Sequence, residues 1–289
     1  MKKTFIAAKQ ESKFNLGWLL GPLVGFVLLT LAETISFMVI VPFFMYQIPP
    51  LEIQLFSFVF ISLVVVSWAR WIEKSPWQGL GFTKKKAFRS FISGWGIGTA
   101  MIMSCVFLMF MFGGVSFVGF QFSPNLAFQF FILMFAWTIQ GSGEEILARG
   151  WLFSSVSAKY HVLLGILVSS LFFTVLHLGN DHLSVIPILD LFLFGVLAAL
   201  YMLRTNNIWG ISGIHAAWNC FQGSFFNFNV SGTKASAAFV KVSLNGPDWL
   251  SGGDFGIEGS IFSLLVQLAM IIWLVYDLKK NNPSLFMSH

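Results

Sequence analysis

The sequence predicts an all-α, polytopic integral membrane protein with about eight transmembrane helices and both termini in the cytoplasm, and three observations carry that expectation. Hydrophobic residues make up 56% of the 289 and charged residues only 10%, a balance outside that of ordinary soluble domains. The apolar residues fall in repeated blocks, many near the roughly 20 residues that a helix needs to cross a hydrocarbon core of about 30 Å. The Lys and Arg residues sit in short connections between these blocks, and in alternate ones. That placement explains the net charge of +5 as membrane topology and argues against nucleic acid as a partner. No room remains for a soluble domain.

Taken in order, the apolar segments expected to be helical are 17–46, 55–71, 91–113, 126–157, 162–177, 185–203, 208–226 and 261–276. The first follows the basic start MKKTFIAAKQESK. Its apolar stretch is far longer than that of a signal peptide and has no clear cleavage signature, so it is expected to remain as a membrane anchor. The first and fourth are long enough to tilt or to project from the bilayer. Lys2, Lys3, Lys9 and Lys13 precede the first segment, and Arg70, Lys74, Lys84, Lys85, Lys86 and Arg89 separate the second from the third. Lys159 follows the fourth, Arg204 the sixth, and Lys279 and Lys280 the eighth. Connections near Gln47, Gly114 and Gly179 carry no Lys or Arg, so the basic side is expected to be cytoplasmic. The loop 227–260, with Lys234 and Lys241, then faces outside. Cys105 and Cys220 fall inside segments, match no metal or redox spacing, and are read as packing residues.

Inside the segments ionisable groups are few: Glu33, Glu144, Glu145, Arg149, His177, Asp190 and His215. Each is costly in hydrocarbon, so each is expected to face a partner or an interior site. Glu145 and Arg149 are four residues apart and share a helical face, while Glu144 is turned about 100° away. A buried ion pair accounts for Glu145 and Arg149 but leaves Glu144 without a counter-ion, and such a carboxylate can serve as a general base. The fourth and fifth segments form a hairpin turning near Tyr160, with Glu144 16 residues before the turn and His177 17 after it. At 1.5 Å per residue both lie roughly 25 Å from the turn, at matched depth. In GIHAAWN, His215 and Asn219 project from one face. They could supply donors to an oxyanion or equally act as interhelical hydrogen-bonders. His215 lies about nine residues from a turn near Asn206, shallower than His177, and only a tilt or break, which Gly210 and Gly213 allow, would bring it level. Glu33 and Asp190 are read as interhelical hydrogen-bonders with a minor chance of substrate contact. His161 and His182 are read as interfacial, and the Phe residues as packing and lipid-facing bulk.

Glu144-Glu145-x-x-x-Arg149, Phe173-x-x-x-His177 and His215-x-x-x-Asn219, in that order on successive helices, resemble the three signature motifs of the CPBP intramembrane protease family. That family takes in CAAX prenyl endopeptidases and bacterial Abi or bacteriocin-processing relatives. The resemblance covers mainly Gln140 to Phe226 and, more loosely, the tail GPDWLSGGDFGIEGS. It implies an eight-helix fold with a conical cavity, in which residues matching Glu144 and His177 activate water. Those matching His215 and Asn219 would stabilise the oxyanion, and those matching Glu145 and Arg149 would orient the site. The organisation expected is 1–125 for transmembrane helices 1–3, 126–226 for a catalytic core of helices 4–7, and 227–289 for an extramembrane loop and the final helix.

The expected function is therefore intramembrane hydrolysis of a peptide bond in a membrane-associated protein or peptide, prenylated or not, by a multi-pass protein of a bacterial cytoplasmic membrane. No cofactor is required, because Glu144, His177 and the oxyanion pair already fill every role. A zinc-dependent version held by Glu144, His177 and His215 is chemically acceptable. The competing readings are a proton-coupled transporter using the buried Glu and His set, for which no inverted repeat is found, and a silent scaffold that binds a partner in its cavity.

Overall fold

In the computed structural model, residues 4–45, 47–234 and 238–281 are described. Lys2, Lys3 and Tyr46 lie outside them. All eight apolar segments are helical: α1 (Leu20–Phe44), α2 (Leu51–Ile72), α3 (Ala87–Met111), α4 (Pro124–Lys159), α5 (Val162–Leu176), α6 (Val185–Thr205), α7 (Trp209–Asn219, continued by a π-helical Cys220–Phe225) and α8 (Ile261–Asn281). Six of them are long and apolar enough to cross a membrane; α5 and α7 are shorter. A helix bonds its own backbone groups, which is why apolar runs in hydrocarbon take this form. Local signals set the ends. Ser123 Oγ accepts from Leu126 N at 3.1 Å with Pro124 in the first turn of α4, and Asn206 takes a left-handed conformation, φ 54°, to end α6.

The helix that carries His215 is seated by small residues. A Cβ at Gly213 would lie 2.2 Å from Phe91 O, and one at Gly98 2.4 Å from Ile214 O, so α3 and α7 touch backbone to backbone. The outer faces are apolar: Phe37 of α1, Phe107 of α3 and Ile272 of α8 are exposed, as a lipid-facing surface requires. The protein is a multi-pass membrane protein.

The basic connections gather at one end of the bundle. Phe5 N donates to Asn206 Oδ1 at 2.9 Å, Gln10 Nε2 to Ala158 O at 3.3 Å, and Arg204 Nε to Asp277 Oδ2 at 3.1 Å. One of these basic residues departs from expectation. Lys9 ends a short helix, Phe5–Lys9, that folds back under the bundle and buries its ammonium on Glu73. Burial pulls its pKa below the ordinary value, opposed by the Glu73 carboxylate.

A second departure is a small sheet within an otherwise helical fold. β1 (Val115–Phe120) pairs antiparallel with β2 (Val240–Leu244), from Val115↔Leu244 to Phe120↔Val240, with an irregularity between Phe117 and Gly119. It ties the α3–α4 connection to the long segment between α7 and α8.

Candidate active site

The 36-residue α4 carries the densest group of charges, at a change in its winding. It is α-helical as far as Glu145 and π-helical from Ile146 to Phe153. The same change follows Asn219 in α7, where Cys220–Phe225 is π-helical. Wide turns of this kind recur at functional sites, and here both begin immediately after a motif residue.

Glu144 points into the bundle with its side chain 14% exposed. Its Oε1 accepts from Gln140 Nε2 at 2.6 Å, and Gln140 Oε1 in turn accepts from Asn219 Nδ2 at 2.8 Å. The amide of Gln140, an i,i+4 neighbour, therefore joins two motif residues that the sequence left unconnected. Glu144 Oε2 is buried and has no hydrogen-bond partner. Arg149 does not cap it. That guanidinium donates to Glu145 Oε1 at 3.1 Å, both side chains fully buried, and stacks on Phe173 at 4.4 Å from the ring centroid. Glu145 and Arg149 thus share a face as expected.

His215 differs from expectation in depth and in partners. Its Nδ1 lies 2.9 Å from Glu145 Oε1 and its Nε2 3.5 Å from Glu144 Oε2, so it is level with both carboxylates. The count from a surface turn fails because the α6–α7 turn is itself buried. Asn207 and Ile208 are buried, and Ile208 N donates to Gly81 O at 3.0 Å, beneath the turn Trp77–Leu80. No helix break is needed. Gly141 makes room for the ring: a Cβ there would stand 3.2 Å from His215 Cγ and from Ala216 N.

His177 caps the C-terminus of α5 and lines a cavity of about 340 Å³ shared with Glu144, Gln140, His215 and Asn219. Its Nδ1 is 2.8 Å from Phe173 O. A carbonyl only accepts, so Nδ1 carries the hydrogen and, in the neutral ring, the Nε2 lone pair is left for another partner. No hydrogen bond joins His177 to Glu144. The imidazole in direct reach of Glu144 is that of His215, while His177 faces it across the shared cavity.

Asp190 accepts from Ser263 Oγ, an α6–α8 bond of the kind expected, and it also lines the cavity. Glu33 lines the cavity as well, but it forms no hydrogen bond with a described residue. Two further residues were missed: Gln140, and Glu258 in the tail segment. Gln140 was detectable as an amide one helical turn before Glu144. Glu258 had no such signal, because it sits among Gly and Asp residues in a polar loop.

Glu144, His177 and His215, the residues of the zinc alternative, line one cavity. Among the described residues no group of three His, Cys, Asp or Glu side chains lies close enough to hold a metal ion.

With three motifs on one cavity wall, the comparison with known families decides the class. Residues 125–221 match the type II CAAX prenyl endopeptidase Rce1-like family. The match spans about a third of the chain, from the start of α4 into the π-helical end of α7, and holds every motif residue. The match supports an endopeptidase, a hydrolase, and the matched family acts on membrane-associated proteins. No curated protein and no solved structure matches the chain. Helices α4, α5, α6 and α7, all within or overlapping the matched residues, supply walls of the cavity, and α1, α2 and residues of the segment between α7 and α8 close it.

Proposed function

We propose that the protein is a glutamate-type intramembrane endopeptidase in which Glu144 and His177 activate water and His215 with Asn219 holds the oxyanion. The observation that carries this reading is Glu144 Oε2, a buried carboxylate oxygen that makes no hydrogen bond, at the wall of the cavity that His177 shares. Gln140 occupies the other oxygen and fixes the carboxylate plane. A water in the cavity donates to Oε2 and to the free Nε2 of His177. As its oxygen bonds to the scissile carbonyl carbon, its proton passes to Glu144.

The oxyanion then accepts from Asn219, whose amide has a second N–H beyond the one given to Gln140. His215 Nε2, 3.5 Å from Glu144, can take the proton collected there and present it to the same oxygen. When the carbon–nitrogen bond breaks, the leaving amine takes that proton. Glu145 and Arg149 hold the His215 ring through Nδ1. The substrate is a membrane-associated protein or peptide, and the basic end of the bundle faces the cytoplasm of a bacterial cell.

The test uses proteoliposomes and a pool of lipid-anchored, internally quenched peptides. Glu144→Gln should abolish cleavage of every peptide the wild type cuts, with its thermal midpoint kept. A metal chelator should leave the wild-type rate intact. Undiminished turnover in Glu144→Gln would rule the mechanism out, and loss on chelation would return the zinc version.

A further inference from the structure

Glu258 lies beyond the matched residues, in the 3-10 turn Ile257–Gly259, and the reaction above gives it no part. It is buried and lines the cavity. Its partners are not Lys or Arg. Oε2 accepts from Ser231 N at 2.8 Å and Ser231 Oγ at 2.9 Å, and Oε1 from Trp218 Nε1 at 3.3 Å. Burial raises its pKa above the ordinary value, with the Ser231 bonds and the nearby His177 opposing. A carboxylate kept here at that cost needs a reason beyond packing, since apolar side chains of similar volume often serve buried sites as well.

The bonds beyond these partners supply the reason. Ser231 O accepts from Asn180 Nδ2 at 2.9 Å, and Asn180 N donates to His177 O at 3.0 Å. Trp218 immediately precedes Asn219 on α7. One carboxylate therefore joins the turn bearing His177 to the helix bearing His215 and Asn219. The His177 side draws on such a brace because α5 ends at Leu176 and the turn after it is held only by the tighter, weaker i→i−3 bonds of His177 N to Thr174 O and Leu178 N to Val175 O. The tail is itself fixed: Gly232 N donates to Phe255 O at 3.0 Å, and a Cβ at Gly256 would lie 2.0 Å from Asn229 O.

We propose that Glu258 is a positioning residue for peptide-bond hydrolysis, setting the separation between His177 and the His215–Asn219 face across the cavity. This rests on the mechanism proposed above. A carboxylate suits the task because its two oxygens accept all three N–H and O–H donors, whereas a glutamine would turn an NH₂ toward one of them.

The experiment measures kcat and KM for a lipid-anchored quenched peptide that the wild type cuts and Glu144→Gln does not. Glu258→Gln should lower kcat by about 10- to 100-fold, as small displacements of reacting groups do, with KM within about twofold. Asn180→Ala, which cuts the brace at its outer bond, should lower kcat in the same way, and the double variant should be no worse than the poorer single. If Glu258→Gln does not fold, Asn180→Ala and Glu258→Asp carry the test. A purely structural brace would lower the thermal midpoint and leave kcat per folded molecule unchanged, and that overturns the proposal. So does a kcat loss in Glu258→Gln as complete as that of Glu144→Gln with an altered pH profile, which would make the residue catalytic. Cleavage that survives Glu144→Gln removes the mechanism, and this proposal with it. Wild-type kcat in Glu258→Gln, with Glu144→Gln inactive, removes this proposal alone.

Discussion

Two buried charge sites flank the π-helical stretch of α4, and they are finished differently. At Glu73, Lys9 occupies Oε2 while Trp68 and Trp151 donate to Oε1 at 3.0 and 2.9 Å, so every oxygen is used. At the cavity wall and just behind it, Glu144 Oε2, Glu145 Oε2 and the Nε and Nη2 of Arg149 are buried without a hydrogen bond. Buried polar groups are nearly always bonded, and an unmade bond there is costly. The closed set at Glu73 is what a structural ion pair needs. The open set at Glu144 has unused capacity beside a cavity, which a reacting molecule can take up.

If that contrast is right, damage at the two sites should separate activity from stability. The largest effect belongs to Glu144→Gln, with a loss of turnover on the order of 10²- to 10⁴-fold, the range for a positioned acid–base group, and a thermal midpoint close to wild type in detergent. Lys9→Met should do the reverse. Stranding Glu73 without its counter-charge should cost about 3–5 kcal/mol, measured by denaturant or thermal unfolding, with kcat of the folded fraction unchanged. Adding Glu73→Gln should recover most of that loss. If Lys9→Met is silent in stability, the Glu73 site is not the structural half of the pair.

A smaller effect sharpens the active half. Gly141→Ala places a methyl 3.2 Å from the His215 ring and the Ala216 backbone, so α4 and α7 must part by a few tenths of an ångström. A several-fold drop in kcat, with little change in unfolding, is the outcome expected. The smallest effect is a pH dependence at Glu258. Its folded pKa is raised above the ordinary 4.5, so over the window between the two the folded protein holds more protons than the unfolded one and stability falls as pH rises. Thermal midpoints measured from pH 7 downward should therefore move in favour of wild type over Glu258→Gln. A constant difference across that range would exclude the contribution.

Much of this was legible in the sequence for one reason: a charge inside an apolar run is expensive and therefore conspicuous. Glu144, Glu145, Arg149, His177 and His215 stood out on that ground, as did the eight apolar segments. Lys9 did not, because a lysine in a basic N-terminal stretch already has an explanation in membrane topology. Glu258 was hidden by the opposite circumstance, a polar loop in which no single carboxylate is anomalous. The depth of His215 was misjudged because turns were taken to mark the bilayer surface, whereas the one before α7 is roofed over by the segment around Leu80. The sheet was missed because its strands are short and lie far apart in the chain.

The wide winding of α4 has a further consequence for reading related chains. A π turn holds one more residue than an α turn, so positions past Phe153 are rotated by roughly 100° from where an unbroken spiral would put them. A helical wheel drawn straight through Pro124–Lys159 would scatter the residues that lie together. Its two halves keep separate registers, and a single deletion inside Ile146–Phe153 would bring them into one phase and swing the Lys159 end away from the Glu144 face.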